Sequence, residues 1–580
     1  MNTRTFIGLF LLGWVLSACE RQVASPGDAS PQSFEAGAKL VFLNADIRTM
    51  DNDFPRASAL CVDGNKITYV GDDEGAKACV GDGTRIIEGA GRLVLPGLID
   101  SHMHAFVGSI SEQRVNLSLA DTMEKLITAL ENIREDNPGD GPVYARGWQN
   151  HLFGPKGPPA SLLDDLFGDR VVILGSVDGH STWFSSKAFE LGGATKDTPD
   201  PEPGVRYFER DEETGDLLGT AREGAGGFIV SKLISRNREA YRAALLRWLP
   251  RAAEAGLTGF FDAGMGAPSE EDAYALLAEL QYTNDLKLRA FTSTSDRGKD
   301  DDPAGRFLKI KSDYGGEFIR PTAIKLFADG VPEAHTAFLS RDYIDRPGYA
   351  GKPMTPPSRM ERLLASATKK DVPVHIHAIG GGAIDLSLNA IERTQTNKRL
   401  RHTIAHMDLV DVDDIGRFVE LGVIPQTSIQ WATKDPSFAN IASFVGEDAM
   451  KAAYPTRQLV DTGAKQTFGT DWPASAYLST FKPFIMIETA VTRRLPGNIT
   501  MPPRNIDEAL TVEEAVQAMT INSAYQLYVE DEFGSLEVGK KADLILLHQN
   551  IFEIPASRIH DTRALLTVVN GRVVHDALGD

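Results

Sequence analysis

Cysteine is scarce in this chain, and so is any excess of positive charge. Three cysteines occur in 580 residues, at positions 19, 61 and 79. The separation of Cys61 and Cys79 matches no compact zinc motif, so cysteine chemistry does not carry the function. The pair either forms a disulfide in an oxidising compartment or is simply buried. The 60 Lys and Arg residues stand against 80 Asp and Glu, a net charge of -20, and no basic cluster offsets it. That balance argues against nucleic acid or an anionic lipid surface as partner. The apolar stretch from Phe6 to Leu16 is too short to span a bilayer, which takes about 20 residues. With 42% hydrophobic and 24% charged residues the composition is that of a soluble globular protein. Its length exceeds one ordinary core, and one large domain with one small one is expected.

The first residues read as an export signal, with Arg4 as the positive region and Phe6 to Leu16 as the apolar one. They end in Leu16-Ser17-Ala18-Cys19, which resembles the lipobox of bacterial lipoproteins. The resemblance implies that residues 1–19 are a signal with Cys19 the lipidated residue. Residues 20–38, rich in Ser, Pro, Gly and Ala, then form a flexible tether. The protein would sit in the cell envelope, facing the periplasm, held to a membrane only through its lipid.

One phrase recurs along the chain: an amphipathic helical stretch, a glycine, a short apolar run, then polar residues. Gly256, Gly422 and Gly463 stand where a helix end favours a left-handed residue, so each phrase reads as helix into strand. Repeated units of this kind imply a parallel sheet. Further buried-strand candidates are 171–174, 288–291, 322–327, 372–378 and 403–407. Polar groups gather at the C-terminal ends of these runs, where a (β/α) barrel builds its site. A doubly wound sheet would also place ligands there, and the barrel is favoured. Residues 39–92 carry short β-rich runs with Asp-Gly turns, a style that resumes at 530–580. The expected architecture is therefore α/β: a TIM barrel over 93–529 and a small β-sandwich built from both chain ends. A Gly-, Pro- and acid-rich stretch at about 192–227 reads as an insertion over the barrel mouth.

Leu95-Pro-Gly-Leu-Ile-Asp-Ser-His-Met-His104 sets His102 and His104 two residues apart at the end of an apolar run, so on a strand both share one face. Imidazole is the commonest protein ligand for zinc, and two on a rigid strand can grip one ion. Other candidates come from separate strands: His377 beyond His375, His406 beyond His402, and Asp471 at the last one. Four histidines and a carboxylate favour zinc, manganese or iron over calcium.

Together with Arg146-Gly-Trp148, Asp178-Gly-His180, Lys325-Leu-Phe-Ala-Asp-Gly330, His377-Ala-Ile-Gly380, Arg401-His-Thr-Ile-Ala-His406, Gly469-Thr-Asp-Trp-Pro473 and Gly534 to Asp543, these segments resemble the amidohydrolase superfamily. The likeness is closest to amidohydrolase family 3, which includes N-substituted formamide deformylases, and it runs from Lys39 to the C-terminus. It implies a distorted (β/α)8 barrel with a composite β-sandwich. It implies one metal on His102, His104 and Asp471 and a second on His377 and His406. Lys325 then resembles a lysine that some members carry as a carbamate bridging two metals. The other reading of Lys325 is a salt-bridged barrel lysine beside a single ion. His375 and His402 read as core or supporting groups.

The expected function is hydrolysis of a C-N, amide-type bond in a small extracytoplasmic molecule. One or two divalent ions, zinc foremost, would act with Asp471 as the proton-transferring residue. His180, Trp183 and Trp148 are candidates for holding the substrate. Deamination of a heterocyclic amine is the rival activity, and a lipid-anchored metal- or ligand-binding protein is the non-enzymatic one. A homo-oligomer is left open. The chain departs from many relatives at Gly381-Gly382 and at Ala405, close to where substrate contacts are expected.

Overall fold

A computed structural model describes residues 39–579 apart from 235–236, 266–267, 297, 299–301, 397–398 and 475. The expected signal, Cys19 and the tether lie outside the described residues. Eight strands form one all-parallel sheet in chain order: β1 (Leu98–Met103), β2 (Leu257–Asp262), β3 (Arg289–Ser295), β4 (Ile319–Phe327), β5 (Val374–Ala378), β6 (Thr403–His406), β7 (Ile424–Thr427) and β8 (Thr467–Phe468). The sheet nearly closes on itself. Ser101 donates to the Phe468 carbonyl at 2.7 Å, and the Asp471 amide donates to the His102 carbonyl at 2.7 Å, bringing the last strand beside the first. The result is a distorted TIM barrel.

Helices cover the barrel because their apolar faces have nowhere else to go. Arg238–Glu254, started by an Asn237 cap, buries Trp248, Leu245 and Leu249 against the strands. The three helix-ending glycines take positive φ of 91° at Gly256, 68° at Gly422 and 86° at Gly463, and β2, β7 and β8 follow them.

Two further sheets pack face to face below the barrel. One contains Leu40–Leu43 and Ala59–Asp63; the other joins Leu93–Pro96 to Leu544–Leu547 and Ala564–Val569. Leu40, Phe42, Leu60, Val94, Leu544 and Leu566 fill the space between. Leu93–Pro96, read from sequence as the start of the barrel, belongs to this sheet instead: Leu544↔Pro96 and Asp46↔Leu93 are its pairings, and Gly97 lies between it and β1. A disulfide joins Cys61 and Cys79 in the same sandwich.

The insertion is also larger than 192–227. Between β1 and β2 lies a six-stranded sheet ordered Phe208–Arg210, Leu217–Arg222, Ser181–Phe184, Val172–Ser176, Val143–Trp148, Val115–Asn116. The apolar run at 171–174, read as a barrel strand, sits here. It turns back through Asp178 and Gly179, the latter at φ 79°, to pair antiparallel with Ser181–Phe184. A hairpin of this kind cannot be a (β/α) unit of the barrel.

Candidate metal centre

At the C-terminal edge of the barrel the alternating pleat of β1 aims His102 and His104 inward. Asp471 Oδ1 lies 3.3 Å from His102 Nε2 and 3.1 Å from His104 Nε2. The donor atoms of these three residues all fall within 4.8 Å of one another. Two glycines make room. A Cβ at Gly469 would stand 2.4 Å from the His102 amide nitrogen, and one at Gly264 would stand 2.8 Å from His104 Nδ1. Asp471 itself holds φ 53° and His406 φ 84°, conformations that side chains seldom adopt and that cluster at functional sites.

His377 and His406 flank the cluster. Their rings are 4.4 Å apart, and the His406 ring is 4.7 Å from that of His102. Burial drives all three imidazoles well below the usual histidine range, so each is neutral and has a free lone pair. Neighbours choose which nitrogen keeps it. His102 Nδ1 faces Gln426 Oε1 at 3.0 Å, which favours a proton there and leaves Nε2 toward Asp471. His377 Nε2 lies 3.2 Å from the Gly330 carbonyl, leaving Nδ1. His406 Nδ1 lies 3.0 Å from the Ser428 hydroxyl, leaving Nε2.

His406 Nε2 and Asp471 Oδ1 are both buried with no hydrogen-bond partner among the described residues. Orphaned polar atoms of this sort are costly in a folded protein, and a cation would satisfy both. The donor set therefore fits a divalent metal. Burial alone would raise the Asp471 carboxyl, but the neighbouring His104, His406 and Lys325 hold it at about 2. Asp471 is an anion throughout the physiological range.

Lys325 is wholly buried on β4, with Nζ 3.3 Å from His102 Nε2. No carboxylate of the described residues comes within salt-bridge distance of it. Burial pushes the amine down to about 7, against the raising effect of Asp471 and Asp262. The salt-bridged alternative thus lacks its partner.

His180 also reaches the site: its ring is 5.3 Å from that of His377, and its Nδ1 pairs with Glu223 Oε2 at 2.7 Å. Burial lowers its pKa, but Glu223 and then Asp178 and Asp471 outweigh that and hold it at about 9. Trp148 and Trp183 do not reach the site. Both are fully buried in the inserted lobe, edge-on to each other with Phe153 alongside. Their indole nitrogens are spent on the carbonyls of Leu174 at 3.1 Å and Pro159 at 2.9 Å. They are core residues. His375 supports His102, with Nε2 2.9 Å from its Nδ1, and His402 accepts the Val374 amide at 3.1 Å one layer down.

Sequence reasoning leaves several contributors without a stated role. Asp100 accepts from the His102 amide at 3.1 Å and from the Thr470 hydroxyl at 2.6 Å, tying the two ligand-bearing strands together. Asp329 accepts three amides, of Phe338, Ile379 and Gly380, and so orders the loops after β4 and β5. Both acids follow apolar runs, the one available signal. Trp431 stacks on His406 at 5.3 Å and opens onto a pocket of about 620 Å³, its open mouth included, lined also by Asp178, Val331, Glu333, Asp408 and Ala474.

A nearly closed parallel barrel with buried imidazoles, a carboxylate and a lysine at its C-terminal edge defines a metal-dependent hydrolase. The chain belongs to the amidohydrolase family, whose profile matches residues 85–575. It is 27% identical over 559 residues to Protein LONG AFTER FAR-RED 3 of Arabidopsis thaliana, covering 93% of this chain and 92% of that one. It is 25% identical over 559 residues to the N-substituted formamide deformylase of Arthrobacter pascens, covering 93% and 99%. An uncharacterized metal-dependent hydrolase from Pyrococcus furiosus superposes with a TM-score of 0.66 at 25% identity, covering 89% of this chain and all of that one.

Proposed function

We propose that this hydrolase cleaves a small amide outside the cytoplasm, with zinc in a two-metal centre. The observation that carries this is the convergence of His102, His104 and Asp471, with His377, His406 and Lys325 beside them, the lysine without a carboxylate in salt-bridge reach among the described residues. His102, His104 and Asp471 would hold one ion, and His377 and His406 the other. Because burial leaves much of the Lys325 amine unprotonated near pH 7, it can attack carbon dioxide, forming an N-C bond and losing a proton. The resulting carbamate would be an anion with two oxygen donors, available to help hold metal beside the histidines. When bound, the metals supply Lewis-acid polarisation of the scissile carbonyl and lower the pKa of a water toward neutrality.

The chain's own groups do the rest. Asp471 takes the water's proton and returns it to the leaving nitrogen. His180, held cationic by Glu223 beside His377, is placed to donate a hydrogen bond to the carbonyl oxygen as negative charge develops. The Arthrobacter relative is named for deformylating N-substituted formamides, so simple formamides are the substrates to assay first. A cell-envelope location through Cys19 is part of the same reading. It is supported by the Cys61–Cys79 disulfide, which suits an oxidising compartment. The test is zinc-loaded protein beginning at residue 20, assayed on N-alkylformamides and on aminated heterocycles. Amine release from the former alone is expected; ammonia release from heterocycles alone would overturn the amide reading in favour of deamination.

A further inference from the structure

The pocket beside the metal centre carries an unbalanced charge. Asp178, Glu333, Asp408 and Asp435 line it against one guanidinium, that of Arg504. Arg504 is committed elsewhere: it donates to the carbonyls of Trp431 at 3.2 Å and Met450 at 3.3 Å and lies over the rings of Phe438 and Tyr454. Asp178 is occupied by the Ser176 hydroxyl, the His180 amide and Asn150. Asp435 accepts from the Ser437 hydroxyl and amide.

The remaining acids are only partly served: the Asp408 carboxylate meets the Tyr454 side chain and Glu333 its own backbone amide. Asp408 is 6% exposed, and its Oδ1 is buried with no hydrogen-bond partner among the described residues. The Thr433 hydroxyl and the Trp431 indole nitrogen, in the same pocket, are also buried without partners. Burial, and then the charges of Asp178 and Asp408, push the Glu333 carboxyl up to about 8. A buried carboxylate oxygen that lacks a donor and lies near other acids is relieved either by a proton or by a cation. Trp431 and Tyr477 add aromatic surface, on which a cation is better received than an anion. The net charge of -20 further favours the approach of cations.

We propose that this pocket binds a cationic group of the substrate, an ammonium or guanidinium, while the amide bond lies at the metal centre. The N-H donors of that group meet Asp408 Oδ1, the Glu333 carboxylate and the Thr433 hydroxyl. Stacking of Trp431 on His406, and the position of Asp408 two residues beyond it, put this charge pocket next to the reacting bond. The inference rests on the amide-hydrolase reading and names the substrate class for it.

The test uses zinc-loaded protein and two formamides of equal length, N-formyl-1,5-diaminopentane and N-formylhexylamine, which differ by an ammonium in place of a methyl. Hexylamine and 1-hexanol are titrated calorimetrically in parallel, so binding is read without turnover. The ammonium compound of each pair is expected to be favoured about 10- to 100-fold, the range of a hydrogen bond to a charged group. In the double variant Glu333→Gln/Asp408→Asn the preference should shrink to within about 3-fold at unchanged zinc content. Hydrolysis of both formamides at equal kcat/KM, with equal binding of amine and alcohol, would overturn the proposal and leave the amide reading intact. Preferred binding of hexylamine without hydrolysis of either formamide would support the pocket and overturn the amide reading.

Discussion

Two buried charge clusters sit at opposite ends of the same barrel, and they differ in how their polar atoms are satisfied. At the N-terminal end Arg289, 1% exposed, opens β3. Its Nε and Nη2 donate to the Asp543 carboxylate at 2.6 and 2.9 Å, and Nη1 donates to Glu317 Oε1 at 2.5 Å. Asp543 also accepts the Asn570 amide at 2.7 Å. The cluster is closed, and it ties the barrel to the strand Leu544–Leu547. At the C-terminal end the described residues leave His406 Nε2 and Asp471 Oδ1 without a hydrogen-bond partner and Lys325 without a carboxylate in salt-bridge reach. A closed cluster holds structure together; an open one is poised for a ligand. This is the division of labour expected between the two faces of a TIM barrel.

The sharpest way to break that comparison is to remove one member from each cluster. Asp471→Asn should lower kcat on a formamide by about three orders of magnitude, as loss of a proton-transferring group does, while zinc content and the unfolding midpoint stay close to those of the parent. Arg289→Ala should do the reverse. It strands the Asp543 carboxylate, so urea denaturation should show a loss of about 3–5 kcal/mol, with kcat of the folded fraction unchanged. If Arg289→Ala abolished turnover in protein that remained folded, the two ends would not be independent.

His180 lies between these extremes, since it is a closed pair at an open site. Its pKa is raised to about 9 by Glu223, so the pair's contribution to stability is fully present below about pH 6.5 and is lost as pH rises through about 9. The stability difference between the parent and His180→Gln should therefore be about 2–3 kcal/mol near pH 6 and fade by pH 10. A difference that grew with pH would show that the imidazole is neutral in the folded protein. The smallest effect belongs to the inserted lobe. Trp183→Phe loses one hydrogen bond and some packing and should cost about 1–2 kcal/mol, with kcat/KM on a formamide unchanged within about 2-fold. A tenfold rise in KM would return Trp183 to the substrate site.

The ligand candidates are legible in sequence because each ends an apolar run, and strand periodicity then fixes which of two alternating side chains faces inward. His102 with His104 follows from that rule, and His377 is preferred to His375 on the same face because it lies nearer the C-terminal end of its strand. The two tryptophans are not separable in this way: a Trp near a polar motif has the same composition whether it lines a pocket or fills a core. Only the carbonyl partners of their indole nitrogens decide it. The strand Val172–Ser176 is misplaced for a related reason, since a buried run does not reveal which sheet receives it. The role of Asp100 is hard to find because it acts through contacts with a distant segment. It joins positions 370 residues apart.

The central claim is that the open cluster binds two metals through Lys325, whose neutral amine becomes an anionic carbamate. The most direct measurement is zinc per chain by elemental mass spectrometry, on protein beginning at residue 20 and on its Lys325→Met variant, both reconstituted in bicarbonate. The account predicts about two per parent chain and about one, or fewer, in the variant. Parent protein that holds no zinc after reconstitution, or a variant that keeps as much as the parent, would contradict it.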